Sequence, residues 1–184
     1  KDMDIKNNDT PDYFPELSCK VRDLIARVRE ALFHADDQLC LRLMAECSAL
    51  MAETRKAEAD CNANLLVGIT ESDSRLQLVR CAQRCSRLGR IVHQANQIVQ
   101  NLHEISGQVD ESDLAAFKPI FLMAEVELQD AVLSILRDDE RLAYGVRKKD
   151  EELDQLYATE MERIFHNTSS AMFYNFQTGT CLLF

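Results

Sequence analysis

Two aspartates, Asp150 and Asp154, are the residues of this chain whose types and spacing most clearly point to chemistry. Asp150 lies four residues after Val146 and three residues before Leu153, on an apolar repeat of helical period, and Asp154 follows one turn later. The spacing therefore predicts that both carboxylates share one helix face and that Asp150 faces inward. Buried carboxylates suffer desolvation and mutual repulsion unless positive charge meets them. We therefore expect a metal ion, an arginine or a water-filled seam beside them.

The two aspartates also have a simpler interpretation. Arg147, Lys148 and Lys149 stand just before them, so the pair could be solvated and neutralised at the surface. Two carboxylates alone bind a divalent ion poorly, because such ions take several oxygen ligands. Both interpretations stay open at this stage.

Cysteine supplies a second set of candidate ligands, with seven residues in the chain. Cys81 and Cys85 share a helix face, and Cys47 and His93 could join them in a site for a soft metal. No Cys-x-x-Cys spacing accompanies them, so thiols that fill the core of a reduced, cytoplasmic protein are the alternative.

No catalytic motif is present in the sequence. It contains neither a glycine-rich phosphate loop nor a nucleophile elbow. A ferritin-like di-iron oxidase needs Glu-x-x-His pairs, whereas Glu30 and His34, like Glu162 and His166, are one residue further apart. We therefore predict that the chain is not an enzyme.

Composition indicates a mostly helical cytoplasmic protein. The 184 residues include only five glycines and three prolines, which strands and tight turns need. The net charge of −10 argues against nucleic acid as the main partner, because phosphate backbones bind basic surfaces. No apolar run is long enough to span a bilayer and no signal peptide opens the chain, so we expect membrane association only through protein partners.

Apolar residues at steps of three and four predict five helices. The first is expected to begin near Pro15 and the second at about Leu39, with the second fading near Gly68. The third is expected to stop near Gly107 and the fourth to begin between Ser112 and Pro119. The predicted fifth helix starts with the segment Leu136–Tyr157 and continues towards Phe165.

The two halves of the chain share one pattern when they are offset by 103 residues. The segment 35–40 then falls on 138–143, Ile25 on Leu128, and Leu50 on Leu153. The sequence therefore predicts an all-α fold of two tandem three-helix bundles, in which the last helix of the second bundle is missing or truncated. The expected boundaries are a frayed tail at 1–14, a first repeat at 15–107 and a second, incomplete repeat at 108–184.

Five segments carry a family resemblance. Leu136–Tyr157 contains an acidic start followed by Asp-x-x-x-Asp, and the other four segments are Asp73–Arg75, Ser86–Arg90, Ala95–Ile98 and Thr180–Phe184. In this order they resemble the PhoU family of phosphate-signalling accessory proteins. The resemblance covers nearly the whole chain past Pro15 and implies the duplicated three-helix architecture.

The resemblance also implies a metal site. In the family, acidic pairs on the second and third helices of each bundle can bind metal. Asp150 and Asp154 match such a pair, so the resemblance implies Fe, Zn, Mn or Mg there, with partner ligands expected beyond Phe184. In the first repeat the corresponding positions hold other residue types: Cys47, Met51, Ser86 and Arg90. A hard cation is therefore not expected in the first repeat.

The resemblance predicts a cytoplasmic negative regulator of phosphate uptake and phosphate-responsive signalling. Its expected partners are the ATPase subunit of a phosphate ABC transporter and a phosphate-sensing histidine kinase. The chain would bind them through outward helix faces, and it could itself form a homodimer. The acidic surface suits a basic patch on such a partner. Two alternatives remain, a metal-binding helical protein and a plain helical scaffold without a phosphate role.

Overall fold

A computed structural model of the chain describes residues 11–67, 72–105 and 114–167. Every regular element in these ranges is helical, which confirms the predicted all-α class. The elements are α1 (Phe14–His34), α2 (Asp37–Leu66), α3 (Ser72–Glu104), a 3₁₀ turn (Ala115–Phe117), α4 (Lys118–Arg137) and α5 (Glu140–Asn167). The predictions made for the tail, for Gly68, for Gly107 and for Thr180–Phe184 lie outside the described residues, as does any third helix of the second repeat.

Helices α1, α2 and α3 form a three-helix bundle with one apolar core. Helix α2 packs along α3, and α1 packs against both. The core positions that periodicity predicts are buried; they include Val21, Val28, Leu43, Cys47, Leu88 and Val92. Each fully buried aliphatic side chain contributes about 1.5–3 kcal/mol of transfer free energy, so this seam is the main stabilising element.

Helices α2 and α3 pack tightly against each other at Gly89. A Cβ atom at this position would lie 2.9 Å from the Thr54 hydroxyl oxygen, which is nearer than packed side chains allow. Thr54 is buried, and its hydroxyl donates to the carbonyl of Met51 at 3.0 Å. The absence of a side chain at Gly89 therefore sets the distance between the two helices.

Helices α4 and α5 form a hairpin that joins the bundle through α1. Helix α4 packs on α1, while α5 packs on α4 and on the 3₁₀ turn. One Arg29 guanidinium nitrogen donates to both Glu125 carboxylate oxygens, at 3.0 and 2.8 Å, and links α1 to α4. Phe121 and Leu153 are buried beneath this contact.

The two hairpin turns have the same geometry at positions 103 residues apart. The residues that follow α1 and α4, Ala35 (φ 48°) and Asp138 (φ 51°), both have the left-handed conformation. The next residue caps the following helix in each case. The Asp36 carboxylate accepts from the Leu39 amide at 2.9 Å, and the Asp139 carboxylate accepts from the Leu142 amide at 3.0 Å. The offset of 103 residues found in the sequence therefore also matches the backbone conformation and the helix capping of these two turns.

The start of the predicted fifth helix needs correction. Leu136 belongs to α4, which continues to Arg137, and α5 begins only at Glu140. The break arises because Asp138 leaves the helical conformation and Asp139 supplies a new cap. Ile135, which periodicity placed inward, is 37% exposed.

None of the helices in the described ranges is both long enough and apolar enough to cross a bilayer.

Candidate functional site

A groove of about 410 Å³ separates the bundle from the hairpin and contains the predicted aspartate position. Its floor is apolar and is formed mainly by Ile25, Ile91, Phe121, Leu128 and Leu153. Its walls carry opposite charges, with Arg87 and Arg90 from α3 on one side and Glu127 and Asp150 from the hairpin on the other. Asp150 of the predicted pair therefore lies where the bundle and the hairpin meet.

Asp150 and Asp154 are exposed rather than buried, although Asp150 still faces the groove between the bundle and the hairpin. Asp150 lines the groove because α5 does not contact α3 closely enough to cover it. No ion pair within 4 Å joins Asp150 to Arg87 or Arg90, although all three line the same groove. Arginines therefore stand across the groove from Asp150 without pairing with it, and the metal ion and the water-filled seam stay predictions.

Glu127 is a third carboxylate at this site, and the sequence reading missed it. Burial raises the pKa of Glu127, the charges of Asp150 and Asp154 raise it further, and Lys149 acts in the opposite direction. Lys149 is itself paired with Asp130 at 2.5 Å. The sequence did hold a signal for Glu127. This residue lies three positions after Ala124 and four before Ala131, on the inner face of α4.

The donor set at the groove does not fit a metal ion. Within the described ranges, no three or more His, Cys, Asp or Glu side chains are grouped so that they could hold one. Asp150 and Asp154 supply two carboxylates, whereas divalent cations require several further oxygen ligands. The metal site at these residues stays a prediction drawn from the resemblance.

The corresponding positions of the first repeat differ in chemistry. Cys47 is completely buried, and burial raises the pKa of its thiol to about 11. Met51, Ser86 and Arg90 instead line a second concavity, between α2 and α3. Glu58 is the one carboxylate in the lining of this concavity, which is too few for a hard cation.

The cysteines group differently from the proposed soft-metal set. Cys61, not Cys47, adjoins Cys81 and Cys85, and burial together with the Cys81 thiol raises the pKa of both Cys61 and Cys85 to about 12. All three are buried and free. The raised pKa values keep the Cys61 and Cys85 thiols protonated, and the burial of all three side chains favours a role in core packing.

Comparisons of the chain with protein-family models, with curated protein sequences and with solved structures found no match. The PhoU resemblance therefore depends on the motifs of the sequence, and function has to be argued from the geometry described above.

Proposed function

We propose that the chain is a non-enzymatic regulator of phosphate uptake and phosphate-responsive signalling that acts by docking on proteins. The observation that carries the proposal is the equivalence of the two hairpin turns, from Ala35 to Leu39 and from Asp138 to Leu142. Equivalent caps at an offset of 103 residues support a duplicated helical unit, which is the architecture that the PhoU resemblance implies.

The proposed regulator would consist of two tandem three-helix bundles. The two units would be three-helix bundles over 15–107 and 108–184, and the last helix of the second would be missing or truncated. Phe14 and Phe117, Leu17 and Ile120, and Leu50 and Leu153 are buried pairs at the same offset, which supports equal roles in the two units.

The outer face of the hairpin suits protein docking. Leu122, Val126 and Leu136 of α4 are 44–46% exposed, and Tyr144 of α5 is 73% exposed. Apolar side chains grouped on one surface commonly mark a binding site for another protein. The proposed partners are the ATPase subunit of a phosphate ABC transporter and a phosphate-sensing histidine kinase, both reached from the cytoplasm, and a homodimer would use the same kind of surface.

A pull-down tests this proposal. The purified chain is immobilised and incubated at moderate salt with the ATPase subunit of a phosphate ABC transporter. Capture should be lost in Val126→Glu, which places a charge on the hairpin face. It should persist in Leu76→Glu, a matched change at a residue of similar exposure (48% against 46%) on α3. No capture by the wild-type chain would contradict docking on this partner.

A metal-binding helical protein is the alternative that the resemblance implies, and besides Asp150 and Asp154 it would need ligands beyond those of the described residues. Elemental analysis of the purified chain separates the two functions. Stoichiometric metal that is lost in Asp150→Ala would favour this candidate over the regulator. Absence of both metal and partner binding would leave a plain helical scaffold.

A further inference from the structure

A polar concavity of about 330 Å³ lies between α2 and α3, and Arg90 borders both this concavity and the groove at the hairpin. Arg55 contributes from α2, and Arg90, His93 and Ser86 contribute from α3. One carboxylate, that of Glu58, belongs to the same lining. Two guanidinium groups face one carboxylate, so the lining has an excess of positive charge before any protonation of the imidazole.

The packing of α2 on α3 creates this concavity. Gly89 has no side chain, and the buried Thr54 occupies the place where a Cβ would lie. Both residues line the concavity, and the long side chains of Arg55 and Arg90 border it from the two helices. The concavity therefore presents cationic groups from two helices around one space, and guanidinium groups so placed can bind a small oxyanion.

Helix α3 is locally basic in an acidic protein. The stretch Ser74–His103 contains five arginines and neither aspartate nor glutamate, whereas the whole chain carries a net charge of −10. In the described part of the chain, Arg55, Arg90 and His93 form no ion pair or hydrogen bond with another side chain. Their donors are therefore available to a ligand.

We propose that this concavity binds inorganic phosphate. Guanidinium groups bind tetrahedral oxyanions through two parallel N–H···O bonds, and the Ser86 hydroxyl and the His93 ring supply further donors. A divalent cation is disfavoured by the same lining, since a second carboxylate is missing from it. Phosphate binding at this concavity would be the step by which the regulator senses phosphate, and this role rests on the proposed function.

Isothermal titration calorimetry of the full chain with potassium phosphate, against potassium chloride at matched ionic strength, tests the assignment. The wild-type chain should show saturable binding of phosphate only. Arg90→Ala and Arg55→Ala should each weaken the affinity by about tenfold or more, since each removes a charge-assisted pair of hydrogen bonds. Arg90→Lys keeps the charge but loses the planar fork and should lie between wild type and Arg90→Ala.

Two further variants make the test specific. Arg42→Ala removes the same charge from an exposed part of α2 outside the concavity and should leave the affinity unchanged. Ser86→Asp places a second carboxylate in the lining and should abolish binding. Circular dichroism confirms that each variant is folded. The absence of saturable binding by wild type, or equal weakening by Arg42→Ala and Arg90→Ala, would overturn the assignment. No partner protein is present in this experiment, so its failure is distinguishable from a failure of docking.

Discussion

Replacement of Gly89 by alanine tests the tight packing of α2 and α3 at this residue. The new methyl carbon would lie 2.9 Å from the Thr54 hydroxyl oxygen and 3.5 Å from its Cβ. Thr54 is 1% exposed and its hydroxyl is bonded to the Met51 carbonyl, so it cannot move aside freely. Overpacking of this kind costs about 1–3 kcal/mol. Alanine regains about 1 kcal/mol of helix propensity over glycine, so the net loss should be up to about 2 kcal/mol.

Urea denaturation monitored by circular dichroism measures this loss. The matched control is Gly145→Ala on α5, where a Cβ atom would meet nothing within 4 Å. It should raise the free energy of unfolding by about 0.5–1 kcal/mol through helix propensity alone. In a chain of this size each kcal/mol corresponds to a shift in Tm of about 2–4 °C, so the two variants should melt on opposite sides of wild type.

A double variant identifies the cause of the loss. Thr54→Ala removes the atom that the new methyl group would meet, so Gly89→Ala should become neutral or stabilising in that background. If Gly89→Ala stabilised the wild-type chain as much as Gly145→Ala does, the close packing of α2 on α3 at this point would be refuted.

Three further predictions concern the helix cap, the hairpin contact and the groove. Asp36→Ala removes the side-chain cap of α2 and should lower the free energy of unfolding by about 1 kcal/mol in urea titrations, whereas no change would mean that the cap does not form. Arg29→Ala and Glu125→Ala should show a coupling of about 1 kcal/mol in a double-mutant cycle, because the pair is half-buried; strictly additive losses would contradict the α1–α4 contact. Glu127→Gln should raise the free energy of unfolding at neutral pH by up to about 1 kcal/mol, since it removes a half-buried charge beside Asp150. The raised pKa means that the folded state holds this proton more tightly than the unfolded state, so the stabilisation is complete below the ordinary pKa of 4.5 and is lost as pH rises through the folded value. The difference between Glu127→Gln and wild type should therefore grow with pH above 4.5, and a difference independent of pH would exclude this cause.

The periodic part of the fold could be predicted from the sequence because burial selects apolar residues every three or four positions. Val21, Leu43 and Val92 all occupy the buried seam that this spacing indicates. The boundary between α4 and α5 could not be predicted, because Leu136 continues the helical pattern past the true end. The break depends on the left-handed conformation of Asp138, and a residue other than glycine gives little warning of it.

The candidate site was predicted only in part, for a different physical reason. Periodicity assigns Asp150 to a face of α5, but it does not reveal what stands opposite that face. The structure places Arg87 and Arg90 across a groove, and it brings Glu127 from another helix towards the pair. These are contacts between segments distant in sequence, which no local pattern encodes.

The way the hairpin is fastened has a consequence for cooperativity. Helix α5 contacts the remainder of the protein mainly through α4 and the short turn before it, and α4 is held mainly by α1. A region attached along a single seam can detach as a subglobal unit at a lower free energy than complete unfolding. Amide protons of α5 should therefore exchange with deuterium well before those of α2 and α3. A partner that binds the detached hairpin would separate it from the bundle while α1, α2 and α3 stay folded.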